Sequence, residues 1–206
     1  DQLNAGTYAS DRTENEWTLG TALSYKLLPT WHVKSSVARV VRLPQFVEMF
    51  GDQGNVLGNP QLVSESGIKF DVGTTWAKDF KGFWNRLSLE TNFFETHLDD
   101  LIQFEVSAGR ARASNIGETR VRGVEFVVDT KFASFFELAA NYTYQQVLDE
   151  STYPGNFLIG RPEHEAGVDL SFERKGLSAG TVLQYVDNQY LDALNTQRID
   201  ERLILH

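Results

Sequence analysis

Residues that could carry acid–base or metal chemistry are present but scattered. The histidines lie far apart in the sequence, and a single histidine is more often a surface residue than a ligand; they are His32, His97, His164 and His206. Glu163-His164-Glu165 is the densest group, but strand alternation would place His164 on the opposite face from both neighbours. We therefore expect no metal site and no resident cofactor.

Common catalytic signatures and nucleic-acid signals are also missing. The sequence has no H-E-x-x-H pattern, no Walker phosphate loop and no G-x-G-x-x-G. It contains no cysteine, which excludes disulfides and thiolate metal sites. The formal net charge of -9 argues against a nucleic-acid partner, since phosphate binding needs clustered Lys and Arg. These observations predict a protein that is not an enzyme and binds no nucleic acid.

The elements that position the remaining residues are strands, because hydrophobicity alternates with a period of two. In the first clear run, over 17–27, Trp17, Leu19, Leu23 and Tyr25 share one face. We predict roughly nine antiparallel strands, the last of them incomplete. The runs after the first are 31–38, 68–76, 87–93, 123–129, 136–145, 167–172, 177–185 and 198–205.

The connections between these runs alternate in length. Tight turns at 28–30, 79–84, 133–134 and 175–176 alternate with long loops, which are 41–65, 103–117, 148–163 and 187–197. Short turns at one end and long loops at the other are typical of an outer-membrane barrel, whose long loops face the outside of the cell. The fold class predicted is all-β, a sector of an antiparallel up-and-down transmembrane β-barrel.

Aromatic and charged residues sort in the way that such a barrel requires. Aromatic residues concentrate near the short-turn end, where rings favour the boundary between lipid tails and water; they are Tyr25, Trp31, Trp76, Phe80, Phe83, Trp84, Phe132, Phe135, Phe136 and Phe172. Lys34, Glu90 and Asp169 fall on the polar face, as do Lys69 and Glu125. Arg39 and Glu95 fall on the apolar face, but near the long-loop end. A hydrophobic plug that closes one end of a β-sandwich is the alternative explanation for the aromatic residues.

Three groups of residues, in order, resemble landmarks of the TonB-dependent receptor barrels. The first is Arg42-Leu-Pro-Gln-Phe-Val-Glu-Met-Phe-Gly51 with Gly58-Asn-Pro-Gln-Leu62 and Glu65, the second is Asn115-Ile-Gly117 with Arg122-Gly-Val-Glu125, and the third is Gly160-Arg-Pro-Glu-His164. The resemblance runs from about Trp17 to the C-terminus. The landmark residues that we single out are Arg42, Pro44, Glu48, Gly58, Asn59, Pro60, Glu65, Asn115, Gly117, Gly123, Glu125, Arg161, Pro162 and His164.

The resemblance implies a location, a function and partners. It predicts a bacterial outer-membrane receptor that takes up a scarce metal chelate of the siderophore type or a cobalamin-like substrate. The expected partners are outer-membrane lipid, the small-molecule chelate and the TonB complex, which would act through a plug region. Residues 1–206 would form one partial barrel region, with the N-terminal plug domain and the C-terminal closing strand absent and no signal peptide at 1–10.

Substrate contacts are expected in the long loops. Arg110, Arg112 and Tyr153 could hold an anionic or aromatic chelate by charge and by ring stacking. This hypothesis depends on residue type alone, since the resemblance supplies no loop motif. Two other functions stay open from the sequence, a passive outer-membrane porin and a soluble β-sandwich binding module.

Overall fold

A single antiparallel sheet of nine strands forms most of the chain. The computed structural model describes residues 15–52 and 54–206. Each strand of this sheet pairs with the sheet strand that precedes it in the sequence, which confirms the predicted up-and-down order. The strands, in order across the sheet, are β1 (Leu19–Leu28), β2 (Trp31–Arg42), β4 (Glu65–Asp79), β5 (Trp84–Asp99), β8 (Thr119–Phe132), β9 (Phe136–Asp149), β10 (His164–Arg174), β11 (Leu177–Val186) and β14 (Arg202–Leu205).

The long connections carry small elements of their own. The loop between β2 and β4 contains helix α1 (Phe46–Phe50) and strand β3 (Val56–Leu57). The loop between β5 and β8 contains a hairpin of β6 (Leu101–Ser107) and β7 (Arg110–Ile116), and β3 pairs with β7 in parallel. No helix in the described part of the chain is long and apolar enough to cross a membrane.

Two sequence predictions need correction in these connections. Residues 103–117 were expected to be irregular, but they belong to the hairpin of β6 and β7. The terminal run 198–205 was expected to be one strand, but it splits: β13 (Arg198–Ile199) pairs with β12 (Gln189–Tyr190), and β14 pairs with β11. The physical reason is that Asp200 and Glu201 interrupt the ladder, so the two halves of the run pair with different neighbours.

The apolar face of the sheet is not covered by any other described part of the chain. Phe70, Leu89 and Phe126 are 42%, 41% and 43% exposed. In a sandwich these side chains would be sealed between two sheets. Buried apolar residues lie instead in or beside the long loops, where Leu62, Ile102 and Ala113 form a small core. The structure therefore excludes the β-sandwich alternative.

The opposite face is polar and carries an ion pair that reaches from β2 across β4 to β5. The Lys34 ammonium contacts Glu90, which also accepts a hydrogen bond from the Thr75 hydroxyl at 3.2 Å. Ser36 donates a hydrogen bond to Asp71 at 2.5 Å. The strand register puts Lys34 and Glu90 on this face together with Lys69 and Asp71, as the alternation predicted.

Aromatic rings meet at the short-turn end of the sheet, as the sequence predicted. Phe136 lies between Phe132 and Phe172, with ring centroids 5.2 and 5.1 Å away. Trp84 packs on Phe132 at 5.6 Å. We call Phe83, Trp84, Phe132, Phe135, Phe136 and Phe172 the aromatic belt.

The turn between β8 and β9 is made without glycine. Ala133 and Ser134 both have positive φ, 48° and 62°. A two-residue hairpin turn of this hand favours Asn and Gly, because a Cβ is strained in the left-handed region. Backbone partners hold the turn in place: the Ala133 amide donates to the Phe83 carbonyl at 2.7 Å, and the Ser134 amide donates to Asn85 Oδ1 at 2.7 Å.

If the apolar face meets lipid, a charge placed in its middle is costly. We expect Phe126→Lys to destabilise the folded protein by at least about 2 to 4 kcal/mol in a bilayer. Thr143→Lys is the matched control, because Thr143 lies on the polar face between the strand partners Glu125 and Glu165. Urea unfolding in lipid vesicles measures both, and equal losses for the two variants would contradict the assignment of the faces.

Candidate functional site

The clearest arrangement of charged side chains lies at the long-loop end of the sheet. The Arg42 guanidinium bridges two carboxylates, Glu48 at 3.1 Å and Glu65 at 2.5 Å. Both glutamates are buried, with 5% and 6% of their surface exposed, while Arg42 is partly exposed. We call Arg42, Glu48 and Glu65 the rim cluster.

Backbone amides complete the hydrogen bonding of the rim cluster. Glu48 Oε2 accepts from the amide of Gln45 at 2.6 Å, and Glu65 Oε1 accepts from the amide of Ile102 at 2.7 Å. Buried carboxylates need such donors, because the charge has lost its water. The cluster therefore joins four parts of the chain: the end of β2, helix α1 with its preceding turn, the start of β4 and the start of β6.

Glycine and asparagine hold helix α1 against the neighbouring hairpin. A Cβ on Gly58 would lie 2.5 Å from the Met49 carbonyl oxygen, so only glycine fits there. The Asn59 amide donates to the Glu48 carbonyl at 2.9 Å, and Asn59 Nδ2 donates to the Ala113 carbonyl at 2.9 Å. Asn59 thus links the helix to β7.

Asn115 makes a second link between the loops. Its side chain accepts from the Val63 amide and donates to the Val63 carbonyl, each at 3.0 Å, and it donates to the Asp100 carbonyl at 2.7 Å. This pattern pairs the side chain with a backbone segment in the way that a strand would. Gly117 lies close by, where a Cβ would come within 2.8 Å of Ser151 Oγ.

The structure thus brings most of the first two landmark groups into one network. Within it the rim cluster contacts the segment that carries Gly58 and Asn59, and that segment contacts the hairpin that carries Asn115. From the sequence, Gly58-Asn59-Pro60 was interpreted as a turn former and Gly117 as a place where a side chain would be awkward, but the partners of these residues could not be predicted. In the structure the network anchors the loops 43–64 and 101–116 to the rim of the sheet.

The remaining landmarks lie outside this network. Gly123 sits under the Phe94 ring, where a Cβ would come within 2.6 Å of Cζ. Glu125 is exposed on the polar face. The Pro162 carbonyl accepts from Gln145 Nε2 at 3.2 Å, beside the exposed Arg161, and His164 Nδ1 shares a hydrogen bond with the Tyr142 hydroxyl at 2.8 Å.

The three residues suggested as substrate contacts are not brought into one pocket. Arg110 follows the tip of the hairpin of β6 and β7, and Arg112 lies opposite Glu105 on the same hairpin; both arginines are exposed. Tyr153 lines a cleft of about 70 Å³ that Phe157 and Glu105 also line, and neither arginine belongs to that lining. The cleft is far smaller than the pockets of several hundred Å³ that hold whole ligands.

Aspartates that sequence reasoning missed shape the other two long loops. Buried Asp149 accepts hydrogen bonds from the amides of Ser151, Thr152 and Tyr153 at 2.7 to 3.1 Å. Asp192 accepts from the amides of Gln197 and Thr196, which lowers the pKa of its carboxyl below the ordinary value. Asp is a residue type that favours turns through bonds from its side chain to nearby amides, but the type alone does not say which amides it accepts from.

Catalytic and metal-binding arrangements find no support in the geometry. No group of three or more metal-ligating side chains occurs within residues 15–52 and 54–206. The sequence does contain one G-x-S-x-G pattern, at 176–180, but it runs from a hairpin turn into β11. A nucleophile elbow requires a sharp strand-to-helix turn, so Ser178 is not in the setting of a catalytic serine.

Comparisons with known proteins agree with this fold. The family model described as "TonB dependent receptor-like, beta-barrel" matches residues 1–203. The chain is 23% identical to the probable TonB-dependent siderophore receptor PiuA of Acinetobacter baumannii over 211 residues, which cover 94% of this chain and 28% of PiuA. The chain therefore spans under a third of the length of that relative.

Solved structures give the same fold. The ferric yersiniabactin uptake receptor FyuA of Yersinia pestis matches with a TM-score of 0.67 and 22% identity, over 90% of this chain and 28% of FyuA. The copper transporter OprC matches with a TM-score of 0.68 and 16% identity, over 90% of this chain and 29% of OprC. At these identities the likeness concerns the fold, and the cargoes of the two proteins differ.

Removing one carboxylate of the rim cluster should loosen the loops without unfolding the sheet. We expect Glu65→Ala to destabilise this region by about 1 to 3 kcal/mol, because the Ile102 amide loses its acceptor and Arg42 loses a partner. Hydrogen exchange of peptides that cover 43–64 and 101–107 measures the change. Glu118→Ala is the control, since its exposed carboxylate makes no hydrogen bond or ion pair within the described residues. Unchanged exchange in Glu65→Ala would contradict an anchoring role.

Proposed function

The chain belongs to the family of TonB-dependent receptor β-barrels, which are outer-membrane proteins, and on that premise we propose that it forms part of the wall and outer loops of an uptake receptor. The proposed cargo is a scarce metal chelate of the siderophore type, or a cobalamin-like cofactor. The observation that supports this most is the family match over 1–203, together with the similarity to a probable siderophore receptor along almost the whole chain.

We propose the following division of roles. The nine-stranded sheet serves as barrel wall, with its apolar face toward lipid and its polar face toward the lumen. Residues 1–206 are one partial barrel region, and the plug domain and the closing strand belong to other parts of the receptor. The TonB complex acts through that plug, so that captured substrate passes along the lumen.

The anchored loops suit capture of a substrate from outside the cell. The rim cluster, Asn59 and Asn115 fix the loops 43–64 and 101–116 to the sheet, and preorganised loops lose less entropy when a ligand binds. The cleft beside Tyr153 accommodates only a small part of a chelate. The complete capture surface is therefore shared with other loops of the receptor, and no catalysis is proposed.

Energy coupling separates this function from that of a passive porin. In iron-starved cells that produce the receptor, we expect binding of the cognate radiolabelled ferric chelate to persist when TonB is disrupted, while its accumulation stops. A panel of catecholate, hydroxamate and phenolate chelates, with cyanocobalamin, identifies the cargo. Accumulation that continues without TonB, or ion conductance of the purified protein in planar bilayers, would favour the porin alternative.

Arg110 and Arg112 are the proposed contacts for an anionic chelate. Both lie exposed on the hairpin that the rim network anchors. We expect Arg110→Gln with Arg112→Gln to weaken chelate binding by about tenfold and to reduce its dependence on salt, because two charge-assisted contacts are lost. Binding is measured by isothermal titration at two salt concentrations.

Matched variants show whether this effect is local. Arg174→Gln removes a cation at the short-turn end, where Arg174 lies 4.7 Å over the Phe135 ring, and should leave binding unchanged. Tyr153→Phe keeps the ring and should also preserve affinity if the ring contacts substrate by stacking. Undiminished affinity in the double arginine variant would exclude the hairpin as a capture surface.

A further inference from the structure

Polar residues interrupt the apolar face of the sheet at the long-loop ends of β5, β8 and β9. The strand register places Glu95, Arg122 and Gln146 side by side on this face. His97 and Arg120 form the next row toward the loops. We call these five residues the upper charged patch.

The patch and the aromatic belt are separated by about the height of the apolar band of a membrane β-barrel. Phe132 of the belt and Arg122 are on the same strand and the same face, ten positions apart. Ten residues at about 3.3 Å each, tilted by about 45°, rise roughly 23 Å, close to the apolar band of such barrels. The residues that share this face between them are Val124, Phe126, Val128 and Thr130. Arg122 therefore lies where the hydrocarbon ends and the outer leaflet's headgroups begin.

Most of the charge in the patch is balanced by the protein itself. Arg120 donates two hydrogen bonds to Glu95 Oε1, at 2.8 and 2.5 Å, and lies 3.9 Å from Glu150. His97 Nε2 is 3.7 Å from the same Glu95 oxygen. Glu95 is thus paired and does not oppose an incoming anion with its full charge.

Arg122 differs, because its partner is a neutral amide. Its Nε and one terminal nitrogen donate to Gln146 Oε1 at 3.2 and 2.9 Å. Within the described part of the chain no carboxylate pairs with it, and its side chain is exposed. Gln146 therefore fixes the guanidinium in place, while three of its five N–H groups have no acceptor among residues 15–52 and 54–206. Next to hydrocarbon, where the effective dielectric is low, a counter-charge stabilises such a cation more than it would in water.

We propose that Arg122, positioned by Gln146, binds a phosphate group of the glycolipid that forms the outer leaflet of the bacterial outer membrane. A planar guanidinium with free N–H groups matches a phosphate by paired hydrogen bonds. The exposed Phe126 and the neighbouring Val124 on the same face supply the apolar surface that the acyl chains of that lipid contact. The proposal depends on the outer-membrane location and is independent of which cargo the receptor carries.

The test compares lipid binding by the full-length receptor and its variants in non-ionic detergent, read by native mass spectrometry. Wild-type protein should retain bisphosphorylated lipid A and lose most of this binding when the lipid is dephosphorylated. Arg122→Gln should reduce retention about tenfold, the effect of one charge-assisted contact. Arg122→Lys keeps the charge but not the planar fork, so it should retain an amount of lipid A between the amounts retained by the wild type and by Arg122→Gln. Arg174→Gln, at the opposite end of the apolar face, should bind as the wild type does.

Several outcomes would overturn the proposal. The first is equal retention of phosphorylated and dephosphorylated lipid by the wild type. This comparison uses the wild type alone, so it does not depend on whether a variant folds. Arg122→Gln that binds like the wild type, while keeping its heat-dependent shift in gel mobility as a sign of a folded barrel, is another. Inorganic phosphate that displaces the lipid at equal concentration would identify a general anion site instead of a lipid site.

Discussion

Everything in this chain depends on the requirement that backbone polar groups of a wall bordered by hydrocarbon find partners within the wall. Antiparallel pairing of nine successive strands satisfies that requirement between neighbours, from β1 to β14. Outside the register shifts at Lys26–Leu28 and Trp84–Arg86, this pairing makes side chains alternate between two faces. Phe70 and Phe126 on one face, and Asp71 and Glu125 on the other, are consequences of that single geometric rule.

Because the sheet leaves its apolar face open, the chain places its buried core elsewhere. Leu62, Ile102 and Ala113 are enclosed at the rim, together with the carboxylates Glu48 and Glu65. Removing two carboxylates from water costs free energy that one guanidinium and two backbone amides offset, so this arrangement is held only when all parts are in place. The rim therefore makes loop structure conditional on the correct joining of β2, α1, β4 and β6.

The sequence was sufficient to predict the sheet but only part of the rim. Hydrophobicity alternates over enough residues in β4 to predict the strand and its two faces directly, since every second residue from Ile68 to Trp76 lies on the apolar face. The hairpin of β6 and β7 was not predicted, because Gly109 and the polar residues around it are typical of an irregular loop. The capping roles of Asp149 and Asp192 depend on amides up to five residues away, which residue type alone does not reveal. Arg110, Arg112 and Tyr153 were chosen by type, and the structure separates the arginines from the cleft beside Tyr153.

The glycine-free turn between β8 and β9 depends on the strand beside it. Residues in the left-handed region without glycine cost about 1 to 2 kcal/mol each, so Ala133 and Ser134 disfavour the bend in an isolated peptide. In the folded chain the bend is stabilised from outside its own hairpin. The Phe83 carbonyl, just before β5, and the Asn85 side chain in β5 accept hydrogen bonds from the two amides of the bend. This tight turn is thus held by contacts that are distant in sequence, and its strained backbone depends on the neighbouring strand.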